Sequence, residues 1–463
     1  MQGDTSSTTR RTFLSSSIIA SSLNLTSLSQ SNNYSSLQNG NDWSMWGANP
    51  RRTSYHPGQG PVDSIGMLWS SEIHPGDIAR GVSVENGRIF YIEQGRCLRA
   101  LDSDTGEEIW NFEFSFNLNE SILASVPAVD SGSVYFGGEE TVYSIESSSG
   151  EEEWQLDVGG GVIESSPVVM NNTVYIGSDN GLHAIDAESG EENWQFETGS
   201  RVATSPAISG ETIYIGSDDT RLYAIDAGTG SQKWNVPTGA EVLSIAISSG
   251  SVYLINKNAE VWSINSMSGD IQWESELDEE SGGSPLPVGL AIGNGHVYTG
   301  GWSQLFSLDA ESGQTTWEYS ESSKVYNPIL VDGIVYFQTI SEDGTEIQAR
   351  NAYNGDEIWT HISERGDEII GSPSISNETI YIPEGTEDGG RVLALTGEAS
   401  TIEDTNTPID TENTTAESNQ LSSRTKDSSG IDINWNGVIS QLGAIGAILV
   451  LALYTVFKND RDD

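Results

Sequence analysis

Between residues 66 and 397 the apolar positions fall in short runs rich in Val, Ile and Tyr, bounded by Gly, Asn, Asp or Ser. Two neighbouring stretches show the arrangement. The first reads Ser166-Pro167-Val168-Val169, Thr173-Val174-Tyr175-Ile176-Gly177-Ser178, Leu182-His183-Ala184-Ile185-Asp186 and Glu191-Glu192-Asn193-Trp194-Gln195-Phe196. The second reads Ser205-Pro206-Ala207-Ile208, Thr212-Ile213-Tyr214-Ile215-Gly216-Ser217, Leu222-Tyr223-Ala224-Ile225-Asp226 and Gln232-Lys233-Trp234-Asn235-Val236. Runs of this length and composition between turn formers predict four antiparallel strands per unit. Helical periodicity is absent and no stretch could form a crossover helix, so parallel α/β architectures are excluded.

The units repeat. Trp69, Trp110, Trp154, Trp194, Trp234, Trp273, Trp317 and Trp359 are separated by 41, 44, 40, 40, 39, 44 and 42 residues. A period near 42 predicts propeller blades or a solenoid. The turn before the tryptophan is the clearest signature: Ala100-Leu101-Asp102-Ser103-Asp104-Thr105-Gly106-Glu107-Glu108-Ile109-Trp110, then Ala184 to Trp194 and Ala224 to Trp234, with looser copies ending at Trp154, Trp273, Trp317 and Trp359. Asp102, Asp186, Asp226 and Asp309 are expected to bond their own turn backbone, and Gly106, Gly190 and Gly230 to supply a positive φ. The tryptophan returns on the outermost strand to pack between adjacent blades.

In this motif the chain resembles the PQQ-like (pyrroloquinoline quinone) repeat family, whose docking motif is Ala-x-Asp-x-x-Thr-Gly-x-x-x-Trp. The resemblance runs from about Trp69 to Gly397 and implies an all-β, eight-bladed propeller of four-stranded blades. Seven repeats end at Trp359; three further strands follow, at Ser372-Pro373-Ser374-Ile375, Thr379-Ile380-Tyr381-Ile382 and Arg391-Val392-Leu393-Ala394-Leu395, with no docking Trp after them. The expected fourth strand is Gly66-Met67-Leu68-Trp69-Ser70, so the last blade is shared between both ends and no sheet edge stays open. Residues 31–65 form a lead-in, and its stretch from Trp43 to Thr53 resembles the one that precedes the first strand in many members of the family.

Both ends read as addresses. Within residues 1–30, Arg10-Arg11-Thr12-Phe13-Leu14 followed by the uncharged stretch Ser15 to Leu28 resembles a twin-arginine export signal, although no Ala-x-Ala cleavage site follows. Residues 398–434 are rich in Ser, Thr, Asn, Asp and Glu and predict a disordered stalk. Residues 435–457 predict one transmembrane helix: Val438 to Phe457 holds 20 uncharged residues, which at 1.5 Å per residue reach about 30 Å, a bilayer core. Trp435 stands at one edge of it, and Lys458 and Arg461 lie in the short tail 458–463, expected on the cytoplasmic side.

Composition adds the setting. With 68 acidic against 20 basic residues the net charge is −48, spread along the chain. Such a surface repels itself unless molar salt shortens the Debye length to about 3 Å, so the expected source is a halophilic archaeon. Nucleic acid is excluded as a partner, because no cluster of Lys and Arg is present to neutralise phosphates. The single cysteine, Cys97, reads as a small packed hydrophobe.

Chemistry is thin. The resemblance to quinoprotein dehydrogenases implies PQQ over the channel with a calcium ion, an Asp base, a stacking Trp and often a disulfide between neighbouring cysteines; one cysteine excludes the disulfide, and no residue is assignable to the calcium ligands or the base. The five histidines show no metal-ligand spacing, so no metal site and no catalytic residue are expected. Aligning the blades puts Arg80, Glu164, Arg201, Glu241, Lys324, Tyr326 and Asn327 at or just before the innermost strands, as candidate ligand-binding residues at the channel mouth. The favoured reading is a membrane-held, extracytoplasmic binding or scaffolding propeller for a protein or glycan at the cell surface. A PQQ- and calcium-dependent dehydrogenase acting on an alcohol or sugar is the alternative, and it rests on fold alone. The family also contains the outer-membrane assembly lipoprotein, a non-catalytic propeller.

Overall fold

The computed structural model describes residues 42–62, 65–73, 80–93, 97–114, 125–159, 161, 163–277, 289–301, 304–320, 324–341, 344–363, 368–369, 371–386 and 389–397. The expected export signal, stalk, transmembrane helix and tail lie outside these residues. Among the described residues there are strands and turns only, and no helix is long and apolar enough to cross a membrane.

Eight separate sheets form the ring. Blades 1 to 7 span residues 83–113, 128–157, 168–196, 207–237, 242–276, 290–320 and 325–363. Blade 3 is typical: Val168–Met170 lies innermost, followed outward by Thr173–Ser178, Gly181–Asp186 and Glu192–Phe196, each antiparallel to the last. Two-residue turns such as Asn294-Gly295, with φ of 54° and 81°, join the first two strands, in the conformation that matches the strand twist. The second and third strands are buried on both faces, so cores form between blades: Phe90, Ile92, Leu98 and Trp110 of blade 1 pack on Val129, Val134, Phe136 and Ile145 of blade 2.

The junctions share one device. A carbonyl in the docking turn of each blade accepts the indole N–H of the preceding blade's outer-strand Trp and the hydroxyl of the same blade's second-strand Tyr. Ala227 O takes Trp194 Nε1 at 3.1 Å and Tyr175 Oη at 3.2 Å, and Ala352 O takes Trp317 Nε1 and Tyr298 Oη, both at 2.9 Å. The indole then lies over the glycine of that turn; a Cβ on Gly190 would stand 2.7 Å from Trp154 Cδ2. Blade 1 departs from the pattern, because Phe90 stands where the others have Tyr and only Trp110 reaches Ser147 O.

Blade 8 closes the ring as its sequence predicts. The strand Ile65–Ile73 pairs antiparallel with Gly389–Gly397, with Trp69 opposite Ala394, and Thr379–Thr386 and Ser374–Ser376 continue inward. A short strand, Glu368–Ile369, also pairs with Thr379–Thr386. Blade 8 has no docking turn of its own. Pro61 of the lead-in supplies the carbonyl instead, accepting from Trp359 Nε1 and Tyr336 Oη at 3.0 Å each.

The lead-in does more than precede the first strand. From Trp43 to His56 it runs round the axis inside the ring. Carbonyls of Trp43, Ser44, Pro50, Arg51, Thr53 and Ser54 accept from Val84, Val129, Ile208, Ile247, Ile292 and Leu330 N–H, on blades 1, 2, 4, 5, 6 and 7, at 2.7–2.8 Å. Arg52 serves the side left over: its guanidinium donates to the carbonyls of Ser166, Pro167, Pro206 and Trp46. Burial alone holds this arginine down to about 9. Tyr55–His56 adds a parallel strand to the inner edge of Val325–Val331. Turning carbonyls outward in all directions forces positive φ on Ala48, Arg52 and Ser54, which costs on the order of 1 kcal/mol each.

Two expectations follow. Gly210 and Gly190 both have positive φ, 61° and 72°, but a Cβ on Gly210 meets nothing within 4 Å. Gly210→Ala should therefore cost about 1 kcal/mol for its backbone, and Gly190→Ala a further ~1–3 kcal/mol for displacing Trp154, as read by denaturant melts. The second concerns Glu85, at the end of blade 1's inner strand, whose carboxyl is pushed up to about 7, first by burial and then by Asp42 and Asp130. The unfolded chain releases that proton at the ordinary Glu value of about 4.3. Stability is thus fully present below that range and falls as pH rises through 7. Glu85→Gln should flatten this fall by about 1–2 kcal/mol between pH 5 and 8, allowing for solvent screening at a partly exposed group.

Candidate functional site

The two ends of the channel differ in kind. One end carries the two-residue turns and the docking turns, and the lead-in lies inside the ring against the innermost strands. The other end carries the connectors from each outermost strand to the next blade's innermost one. These are uneven: 114–127 and 277–289 are long, whereas 238–241 and 321–324 are short. Uniform turns are set by packing, whereas uneven loops on a rigid ring are where binding is commonly built.

All seven candidate residues stand at this uneven end, and the structure brings three of them together. Arg80, on the connector into blade 1, reaches past blade 2 and donates through Nη1 to Glu164 O at 3.2 Å. Glu164 Oε1, before blade 3, lies 3.0 Å from Arg201 Nη1, before blade 4. Arg201 Nε then meets Asp218 Oδ2 at 2.5 Å. Burial lowers Arg80's pKa, Glu164 raises it and Arg201 lowers it. Asp179 stands beside this chain, its carboxyl raised by partial desolvation, lowered by Arg201, and raised by Glu164 and Asp218. This side of the mouth therefore carries two guanidinium groups and two carboxylates linked in a row, Arg80 through the main-chain carbonyl of Glu164 and Arg201 through the Glu164 and Asp218 carboxylates.

The remaining candidates are apart from it. Glu241 pairs with Lys257 across blade 5. Lys324 and Tyr326 flank Val325 at the start of blade 7, and Asn327 Oδ1 accepts from Gly289 N, tying blade 7 to blade 6. Asp218, Asp179 and Lys257 were not among the expected residues. They follow the second strand of their blades, and their signal is a charged residue directly after Ser217, Ser178 and Asn256. Beneath the mouth a narrow recess is lined by Trp46, Gly81, Val126, Asn327, Pro328 and Ser372, with Trp46 supplied by the lead-in.

The docking-turn carboxylates are engaged in their turns. Asp186 Oδ1 accepts from Ser189 N at 2.8 Å and Ser189 Oγ at 2.9 Å. Such bonds hold Asp186, Asp226 and Asp309 below the usual carboxylate range, which makes them poor bases. Cys97 is buried against Glu93, and burial pushes its thiol up to about 12, far from a reactive thiolate.

The fit of PQQ and calcium can be judged from the donors. A calcium site needs clustered oxygen ligands. Glu164 is held by Arg201 near blades 3 and 4, Asn327 is held by Gly289 N at blade 7, and no group of three His, Cys, Asp or Glu among the described residues is placed to hold a metal. The donor set that the resemblance implies is not assembled among these residues.

Comparison with known proteins agrees with the architecture. A family model described as outer membrane protein assembly factor BamB matches residues 66–275 and 257–446. Among curated proteins, BamB of Salmonella typhimurium is 30% identical over 104 residues, 21% of this chain and 24% of that protein, and BamB of Escherichia coli is 28% identical over 102 residues with the same shares. The chain thus spans about a quarter of the length of these relatives. Among solved structures, quinohemoprotein alcohol dehydrogenase from Comamonas testosteroni superposes with a TM-score of 0.68 at 15% identity, covering 85% of this chain and 84% of that one. BamB from Moraxella catarrhalis gives 0.57 at 15%, covering 72% and 98%. These likenesses are of fold.

The bridge at the mouth has a measurable consequence. Arg201→Ala removes the only cation, among the described residues, in contact with both Glu164 and Asp218. Because the Arg201 side chain is 41% exposed, the loss should be small, under about 1 kcal/mol, and should grow as salt is lowered. Thermal melts of both proteins in 0.1 M and 2 M KCl would read it, and an equal difference at both salts would contradict the electrostatic origin.

Proposed function

The chain belongs to the PQQ-like propeller family represented by the outer membrane protein assembly factor BamB, and on that footing we propose that it is a non-catalytic recognition module that holds a protein partner against its uneven, charged mouth. The observation that carries this reading is the contrast between the two ends of the channel. One end has uniform turns; the other has connectors of unequal length and the Arg80–Glu164–Arg201–Asp218 bridge. Mixed charges of this kind give orientation and selectivity in a protein contact more than raw affinity. A glycan partner is the neighbouring possibility within the same class.

The setting we propose for this module is the outer face of the cytoplasmic membrane of a salt-adapted cell, reached by twin-arginine export and kept by the helix at 435–457. The −48 charge fits a protein whose contacts form in molar salt, where only groups within a few ångströms interact. A dehydrogenase shares this fold but has no donor set at the described mouth to support it.

The test uses the full chain immobilised in 3 M KCl and exposed to a solubilised membrane fraction. Charge reversal at the mouth, Glu164→Lys with Arg201→Glu, should abolish capture of partners held by the wild type. Met267→Asp, in a docking turn at the opposite end, should leave capture unchanged. The reading fails if mouth reversal has no effect, or if loading with PQQ and calcium yields dye-linked dehydrogenase activity.

A further inference from the structure

We infer that the axial wall of the ring is a receptor for a polypeptide loop, and that residues 42–56 of the chain's own lead-in occupy it as an intramolecular ligand that opens and closes as one unit. Each innermost strand pairs with its blade on one edge and leaves the other edge facing the axis. An unpaired strand edge is a ready template for another stretch of backbone. Here the edges of six blades present one N–H each, from Val84, Val129, Ile208, Ile247, Ile292 and Leu330. The lead-in meets them in ring order, Trp43 to blade 1 and Ser54 to blade 7, so its carbonyls follow the circle of donors residue by residue.

The fit is specific at three further points. Arg52 fills the gap at blade 3 by binding the carbonyls of Ser166 and Pro167, and reaches Pro206 on blade 4. Asp42 anchors the start of the loop, its oxygens accepting from Asn86 N on blade 1 at 3.2 Å and Ser376 Oγ on blade 8 at 3.3 Å. Pro61 anchors the far end in the junction of blades 7 and 8. Between these anchors the loop has non-glycine residues at positive φ, a conformation held by its contacts with the ring. The loop is also tied within itself, Asn49 N and Ser54 N donating to Gly47 O and Asn49 Nδ2 to Thr53 Oγ1, so it forms one contiguous unit of the kind that opens sub-globally. Because six blades contribute one bond each, a loop half detached keeps its ordering cost and loses half its bonds.

Hydrogen exchange on the full chain tests this directly. The six axial amides lie far apart in sequence, yet they should exchange with one common protection factor, lower than that of ladder amides such as Ile176 and Ile215. Arg52→Ala should lower protection of all six by the same factor, about tenfold or more for the loss of several buried hydrogen bonds, and leave the ladder amides unchanged. Asp42→Ala, a milder change at the anchor, should lower all six together by a smaller factor and covers the case in which the Arg52 variant fails to fold. A synthetic peptide of residues 42–56, added to whichever variant is folded, should restore protection. Unequal protection among the six, a loss confined to the amides nearest the substitution, or no rescue by the peptide would each overturn the inference. Charge reversal at Glu164 and Arg201 should not move these amides, so a failure here is separate from a failure of the proposed partner site.

Discussion

The ring depends on one carbonyl per junction. At each junction a single backbone oxygen, in a docking turn at seven of them and of Pro61 at the eighth, receives the indole N–H of a Trp and, at seven of the eight, the hydroxyl of a Tyr, both from the preceding blade. Both aromatic side chains carry a polar tip that must be satisfied when buried. Sending both tips to one acceptor fixes the distance between blades and the angle of the ring planes at once. The glycine under the indole follows, since only a residue without Cβ lets the ring lie flat on the turn. Asp186 and its counterparts hold the turn so that this carbonyl points at its neighbour. Apolar packing between blades supplies most of the stability, but it is nondirectional; the shared carbonyl gives it register.

A ring of near-identical blades still has to close, and closure breaks the symmetry. Blade 8 has neither an outer strand nor a docking turn in sequence order, and the N-terminal segment provides both, Ile65–Ile73 as the strand and Pro61 as the acceptor. The same segment lines the axis. Three tasks thus fall to about thirty consecutive residues, and the only buried arginine bound to backbone carbonyls of two blades, among the described residues, lies there. In a chain so rich in carboxylates, the use of carbonyls in place of carboxylates around Arg52 avoids burying a second charge, whose desolvation would have to be offset.

Much of this was legible in the sequence, and the physical reason is locality. The docking Trp, its Asp and its Gly lie within a dozen residues of each other, so their pattern survives as a motif, and the count of copies gives the number of blades and the need for a shared one. The path of the lead-in was not legible beyond its existence. Apart from those of Arg52 and Asp42, its bonds to the ring run through main-chain carbonyls, which leave no mark in the side-chain pattern, and its positive φ values fall on Ala48, Arg52 and Ser54, which give no warning. The mouth was half legible. Arg80, Glu164 and Arg201 follow from aligning the innermost strands, but Asp218, Asp179 and Lys257 arrive from the ends of second strands, and only the antiparallel return of the chain brings them to the same end.

That return explains why one end of such a ring can diversify and the other cannot. Every two-residue turn is constrained by the strand twist within its blade, and every docking turn also by the indole of the blade before. A residue inserted there would displace a Trp, a carbonyl and the next junction together. Connectors at the mouth leave one completed blade and enter the next, and their length is free so long as the innermost strand begins in register. Loop closure entropy grows only slowly with length, roughly 0.6 kcal/mol per doubling, so long and short connectors coexist at little expense in stability.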